Sequence, residues 1–206
     1  MFGQRGSILA RRALVVGAAG VTAVLLGAGV ASADVSIDKT INFNGDFPII
    51  GNLDPIQTET IATAPSPVTV GTQSADFPVT VKVDAPSLAT SGLETVNAAT
   101  VQGTATIVMD FTDSAGQVHN ETVNLTIPST PTPADGSDLT FVATGTANIP
   151  AIANAGAVTA AVDQNGNSTT LDPKQSDGTD TVLGTFTVTL NMDSGQDPTL
   201  GTIQAQ

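Results

Sequence analysis

The run Ile107-Val108-Met109-Asp110-Phe111-Thr112-Asp113-Ser114-Ala115-Gly116-Gln117-Val118-His119 alternates apolar and polar residues, breaks once, and leads into a second alternating set. Ile107, Met109 and Phe111 fall on one side, as do Val123, Leu125 and Ile127 beyond the break. Period two with β-branched enrichment marks strands with one buried face. Asp113-Ser114-Ala115-Gly116 has the composition of a type I turn with glycine in the left-handed position, so it joins strands near 103–112 and 117–127. Counting back through that hairpin sets His119 opposite Phe111, near the tip.

The same pattern recurs outward along the chain. Phe77, Val79, Val81 and Val83 alternate, and so do Phe186, Val188 and Leu190. The expected core is Phe77, Val79, Val81, Ile107, Met109, Phe111, Val123, Leu125, Phe141, Phe186 and Val188. No window after Asp34 sustains a helical pattern over three turns; Ser87–Ala99 is interrupted by Ser91-Gly92 and reads as a loop with a short turn. Asn165-Gly166 signals a type I′ hairpin between strands near 156–163 and 168–172. The stretch Ser129-Thr130-Pro131-Thr132-Pro133 cannot continue a ladder, and marks a crossover or a boundary; Pro65 and Pro67 mark another break or an edge. Short strands with punctuation at short intervals predict an all-β, immunoglobulin-like antiparallel β-sandwich over residues 34–206. The alternative is two small halves split near 129–137. Gly103-Thr104-Ala105-Thr106-Ile107 is echoed by Gly145-Thr146-Ala147-Asn148-Ile149, which duplication or Thr-rich strands would both produce.

Residues 1–33 read as a signal peptide, expected to be helical. Arg5, Arg11 and Arg12 precede an apolar run from Ala13 to Val30, and Ala31-Ser32-Ala33 offers small residues for cleavage before Asp34. A retained anchor is the alternative, which Gly17, Gly20, Gly27 and Gly29 weaken. Arg11-Arg12 loosely resembles a twin-arginine signal, but ordinary export is expected. The remaining 173 or so residues carry three lysines against all nineteen acids and no arginine. That balance repels phosphate backbones, so neither nucleic acid nor, after cleavage, a membrane is an expected partner. The chain has no cysteine, which excludes disulfides and Cys-based metal centres.

Phe47-Pro48-Ile49-Ile50-Gly51, Phe77-Pro78-Val79, Val101-Gln102-Gly103-Thr104-Ala105 and Leu125-Thr126-Ile127-Pro128 occur in an order and spacing continued by three later motifs. These are Asp177-Gly178-Thr179, Leu183-Gly184-Thr185-Phe186-Thr187-Val188 and Asp193-Ser194-Gly195-Gln196. Together they resemble a family of exported actinobacterial proteins carrying a β-rich domain of unknown function. The resemblance implies an extracellular domain with no established activity and no site to transfer. It also implies one cysteine before the Phe-Pro and another after the Gly-Thr-Phe strand, where this chain has Asn44-Gly45-Asp46 and Thr189-Leu190-Asn191. If the family cysteines pair, this chain lacks the staple, and the two segments should still be neighbours.

Few residues suggest chemistry. His119 is the only histidine, and no Gly-x-Ser-x-Gly elbow accompanies it, so a hydrolase using His119 is a minor alternative. Sugar clefts usually stack rings on Trp or Tyr, and both are absent. Acidic extracellular sandwiches can bind calcium through turn carboxylates. The candidates here are Asp163, Asn165, Asn167, Asp177 and Asp180, although the spacing fails the EF-hand pattern and Asp is a common turn former. Three glycosylation sequons, at Asn120, Asn124 and Asn167, fit chance in Thr-rich strands. The reading is a secreted, noncatalytic structural or binding module without cofactor, free outside the cell or held at its wall. Its partner is an unidentified extracellular or envelope component; a calcium-dependent adhesive sandwich is the first alternative.

Overall fold

The computed structural model describes residues 33–206, so the signal-peptide reading of 1–33 lies outside the described residues except at its last position. The hairpin that organised the sequence is present as β4 (Thr100–Thr112) and β5 (Val118–Pro131). Phe111 pairs with His119, and Gly116 turns the chain at φ 80°. Met109, Phe111, Val123, Leu125 and Ile127 are buried, as their alternation requires.

Before the hairpin come β1 (Val35–Phe47), β2 (Gly51–Ala64), β3 (Phe77–Ala85) and α1 (Ser87–Thr95). After it come β6 (Leu139–Ala147), β7 (Gly156–Val162), β8 (Asn167–Lys174), β9 (Phe186–Met192) and β10 (Thr199–Ala205). Eight strands follow one another as β8, β4, β5, β6, β3, β2, β1 and β9, and β9 pairs back onto β8. The ring is therefore a closed antiparallel barrel. β4 is long enough to serve two strands along one edge: Thr100–Thr106 pairs with β8, and Met109–Thr112 pairs with β7, which carries β10.

The barrel corrects the expected immunoglobulin-like sandwich. Two seams are narrow, with only Leu125↔Gly145 and Thr126↔Thr144 joining β5 to β6, and Phe43↔Met192 and Asn44↔Asn191 joining β1 to β9. A sandwich would leave those edges open; here they are bonded. The β3–β6, β4–β8 and β1–β9 ladders each cross the Thr/Pro stretch in sequence. Residues 33–206 belong to one compact unit.

Of the expected core, Phe77, Val79, Val81, Phe141 and Val188 are buried with the hairpin residues. Ile107 and Phe186 are half-buried, the latter edge-on to Phe47 with ring centroids 5.7 Å apart. Three local expectations change. Ser87–Thr95 is a helix because Gly92 permits close packing: a Cβ there would lie 3.0 Å from Ile50 Cγ2. β5 continues through Thr130 to Pro131, paired with Val101 and Thr100, before the chain crosses to β6. Finally, β7 and β8 do not pair as a hairpin about Asn165-Gly166; both lie on β4. Asp163 Oδ1 accepts from the Asn165 and Gly166 amides at 2.8 and 2.6 Å, giving a side-chain-capped turn that hands the chain from one part of β4 to the next.

Candidate functional site

A groove of about 620 Å³ lies at the β5–β6 seam, within the range of small-ligand sites. β5 and β6 touch where Gly145 meets Leu125 and then diverge. Pro128 interrupts the donors of β5 just past the last paired residues, so that strand cannot zip onto β6. Pro128 and Thr130 form one wall, Thr140 and Val142 the other, and the buried Val83 and Phe141 lie beneath. Polar residues of the neighbouring strands continue the surface. Gln57 pairs across to Asp84 and Asp84 to Thr140, while Glu59 pairs to Lys82 and Lys82 to Val142. Lys82 Nζ is 2.7 Å from Glu59 Oε2, which neutralises both. Asp84 has no ion pair among the described residues, and Val142 is 41% exposed.

His119 stands elsewhere, at the hairpin tip. Asp113 Oδ1 accepts from the Ala115 and Gln117 amides, each at 2.9 Å, and Oδ2 accepts from Asn154 Nδ2 at 2.7 Å. The Asn154 amide, followed by the Gln117 N–H, holds the Asp113 carboxyl below its ordinary range. His119 Nε2 lies 3.6 Å from Asp113 Oδ2, beyond hydrogen-bond length, and is buried without a partner. The nearby Ser114 hydroxyl donates to the Ala155 carbonyl at 2.7 Å. Asp113 therefore fixes the turn and ties it to the segment before β7. This is an anchoring network, with a histidine beside a carboxylate that already accepts three N–H donors, two at Oδ1 and one at Oδ2. Two residues on, Asn148 Nδ2 donates to Glu121 Oε1 at 2.9 Å. Burial, and then the charge of Asp76, push the Glu121 carboxyl up.

The calcium candidates separate into two places. Asp163, Asn165 and Asn167 share the turn between β7 and β8, whereas Asp177 and Asp180 follow β8 at its other end, about 25 Å away at 3.3 Å per residue. Asn167 is a strand-switching residue: its Oδ1 accepts from Val108 N at 3.1 Å and its Nδ2 donates to Asp163 O at 2.6 Å. The buried amide fills the ladder of β4 where β7 ends and β8 begins. Asp177 Oδ1 accepts from the Thr179 amide and hydroxyl at 3.0 and 2.7 Å. Asp180 and Asp172 flank Lys174 Nζ. Among the described residues no three acids or imidazoles converge on a common point.

Sequence reasoning singled out the histidine and the turn acids but not the groove. Its one readable trace is Pro128, two residues past the last paired position of β5. Among the described residues no helix is long and apolar enough to cross a membrane. A family model described as a family of unknown function (DUF6801) matches residues 42–201, from β1 into β10. No curated protein and no solved structure matches the chain.

Proposed function

The chain belongs to the DUF6801 family of unknown function, and on that premise we propose an exported, noncatalytic binding module of an actinobacterial cell envelope or extracellular space. Arg5, Arg11 and Arg12 before the apolar run, with Ala31-Ser32-Ala33 after it, support export. The observation that carries binding is the β5–β6 seam: two paired residues hold it, and beyond them the strands diverge around the groove. Binding is favoured over hydrolysis because Asp113 beside His119 is occupied by three N–H donors. Calcium-dependent adhesion draws less support, since Asp163, Asn167 and Asp177 serve backbone and side-chain donors of their own loops.

The test is made in the producing cell. A photo-crosslinking residue at Val142 should capture an envelope or extracellular component, while the same residue at Val118, exposed at the hairpin tip, should not. Intact mass of the recovered protein should correspond to a start at Asp34. Uncleaved protein in the cytosol would overturn export, and equal capture at both positions would overturn the groove. Melting in calcium and in chelator should coincide, because a site that bound the ion would raise stability by mass action.

A further inference from the structure

We infer that the β6 edge at the seam accepts an extended peptide by strand addition, and that the peptide carries a basic residue placed to reach Asp84. The inference rests on the binding-module reading and names the class of partner.

β6 pairs with β3 along its whole length, from Leu139 to Ala147, but with β5 only at Thr144 and Gly145. Its other edge is thus unpaired with β5 over Leu139–Ala143, a segment with no charge and no proline in which Thr140 and Val142 are exposed. Natural sheets usually blunt such edges with lysine, proline or a bulge. Here the blunting residue, Pro128, is on the opposite wall. Alternate residues of β6 present N–H and C=O groups into the gap, the requirement for adding a strand. Side-chain specificity follows from register. A partner residue opposite Val142 meets an exposed aliphatic side chain on the outer face. One opposite Thr140 lies two strand spacings from Asp84, about 10 Å between Cα atoms, a gap that a lysine or arginine side chain and the Asp84 carboxyl close together. Asp84 is the groove carboxylate left without an ion pair, since Glu59 is held by Lys82. An acidic chain with one uncompensated carboxylate at an uncharged edge complements a cationic, alternating peptide and opposes an anionic one.

The probe is a position-scanning library of capped octapeptides, with binding read by fluorescence anisotropy on the protein purified from its producing cell. Lysine or arginine should be selected at one position, with an aliphatic residue two positions away. Asp84→Lys should weaken the selected peptide at least tenfold and shift preference at that position to glutamate. N-methylation of the selected peptide should abolish binding at every second residue and be tolerated between. No cationic selection, selection unchanged by Asp84→Lys, or tolerance of N-methylation throughout would each overturn the inference. Capture at Val142 in cells that the selected peptide fails to compete would also overturn it, while leaving the binding-module reading in place.

Discussion

Gly145 of β6 lies so close to the Asn124 carbonyl oxygen of β5 that a Cβ at Gly145 would stand 2.3 Å from it. The narrow seam is built on that approach. Gly103 makes the equivalent approach on the other side of β5's partner, where a Cβ would lie 2.0 Å from the Thr170 carbonyl oxygen of β8. The Gly-Thr-Ala echo at 103 and 145 therefore marks two places where neighbouring backbones pass too closely for a side chain.

Gly145→Ala should open the seam. The contact is with backbone, which cannot rotate away, so the cost should be on the order of 3 kcal/mol. Amide exchange should quicken at Leu125 and Thr126 before it does in the β3–β6 ladder. Unchanged exchange at those two residues would show that the seam does not depend on the missing side chain.

Asp113 offers a second test, because one carboxylate holds both the turn and Asn154. Its folded pKa is depressed, with the Asn154 hydrogen bond the largest cause. The stabilisation is thus fully present above the unfolded carboxylate pKa and is lost as pH falls through the folded one. Asp113→Asn should lower the melting temperature near neutral pH and flatten the acid limb of its pH profile. Asn154→Ala should do the same to a smaller extent, since the Ala115 and Gln117 bonds remain. An acid limb identical to that of the parent would place the pH dependence elsewhere.

Glu121 works in the opposite sense. Its carboxyl is raised by burial and then by Asp76, so its ionisation costs stability as pH climbs through and above the usual carboxylate range. Glu121→Gln keeps an acceptor for Asn148 and removes the charge. The variant should melt at or above the parent temperature near neutral pH, with the difference vanishing in acid. A variant less stable than the parent near neutral pH would mean that the charged form is the one the Asn148 contact needs.

Much of this architecture was legible in alternation. Phe77, Val79, Val81, Met109, Phe111, Val123 and Leu125 each declare an inward face, and the Asp113–Gly116 turn declares its hairpin. Closure was not legible, because a sandwich and a barrel bury the same face of each strand and differ only in edge pairing. Asn44↔Asn191 joins segments far apart in sequence, and nothing local to either residue announces the other. Gly92 and Gly166 misled for a related reason. Each reads as a breaker or a turn former, yet each is there because a neighbour, Ile50 or Val108, occupies the space of a Cβ. The groove left even less trace, since Val142 belongs to an alternating strand and its exposure depends on where β5 goes.

The β1–β9 seam gives the last prediction. Asn44 and Asn191 are directly paired, next to the buried Phe43 and Leu190, so they share the outer face of the barrel. The resemblance to a cysteine-bearing family pointed to Asn44–Asp46 and Thr189–Asn191, and the register sets Asn191 opposite Asn44. Leu190 faces inward, and a Cβ at Gly45 would lie 2.9 Å from the Thr189 carbonyl oxygen, so Gly45→Cys with Leu190→Cys should strain the strand pairing. Asn44→Cys with Asn191→Cys should instead form a bridge spontaneously under oxidising conditions, at the cost of the 2.8 Å hydrogen bond from Asn44 to Asp193. Closing so long a loop should stabilise the barrel by about 2–4 kcal/mol, because the denatured chain loses more freedom than the folded one. Mass spectrometry counts the thiols and denaturant unfolding with and without reductant reads the gain. A bridge that forms only between cysteines at 44 and 190 (Asn44→Cys with Leu190→Cys) would mean that the register at this seam is off by one residue.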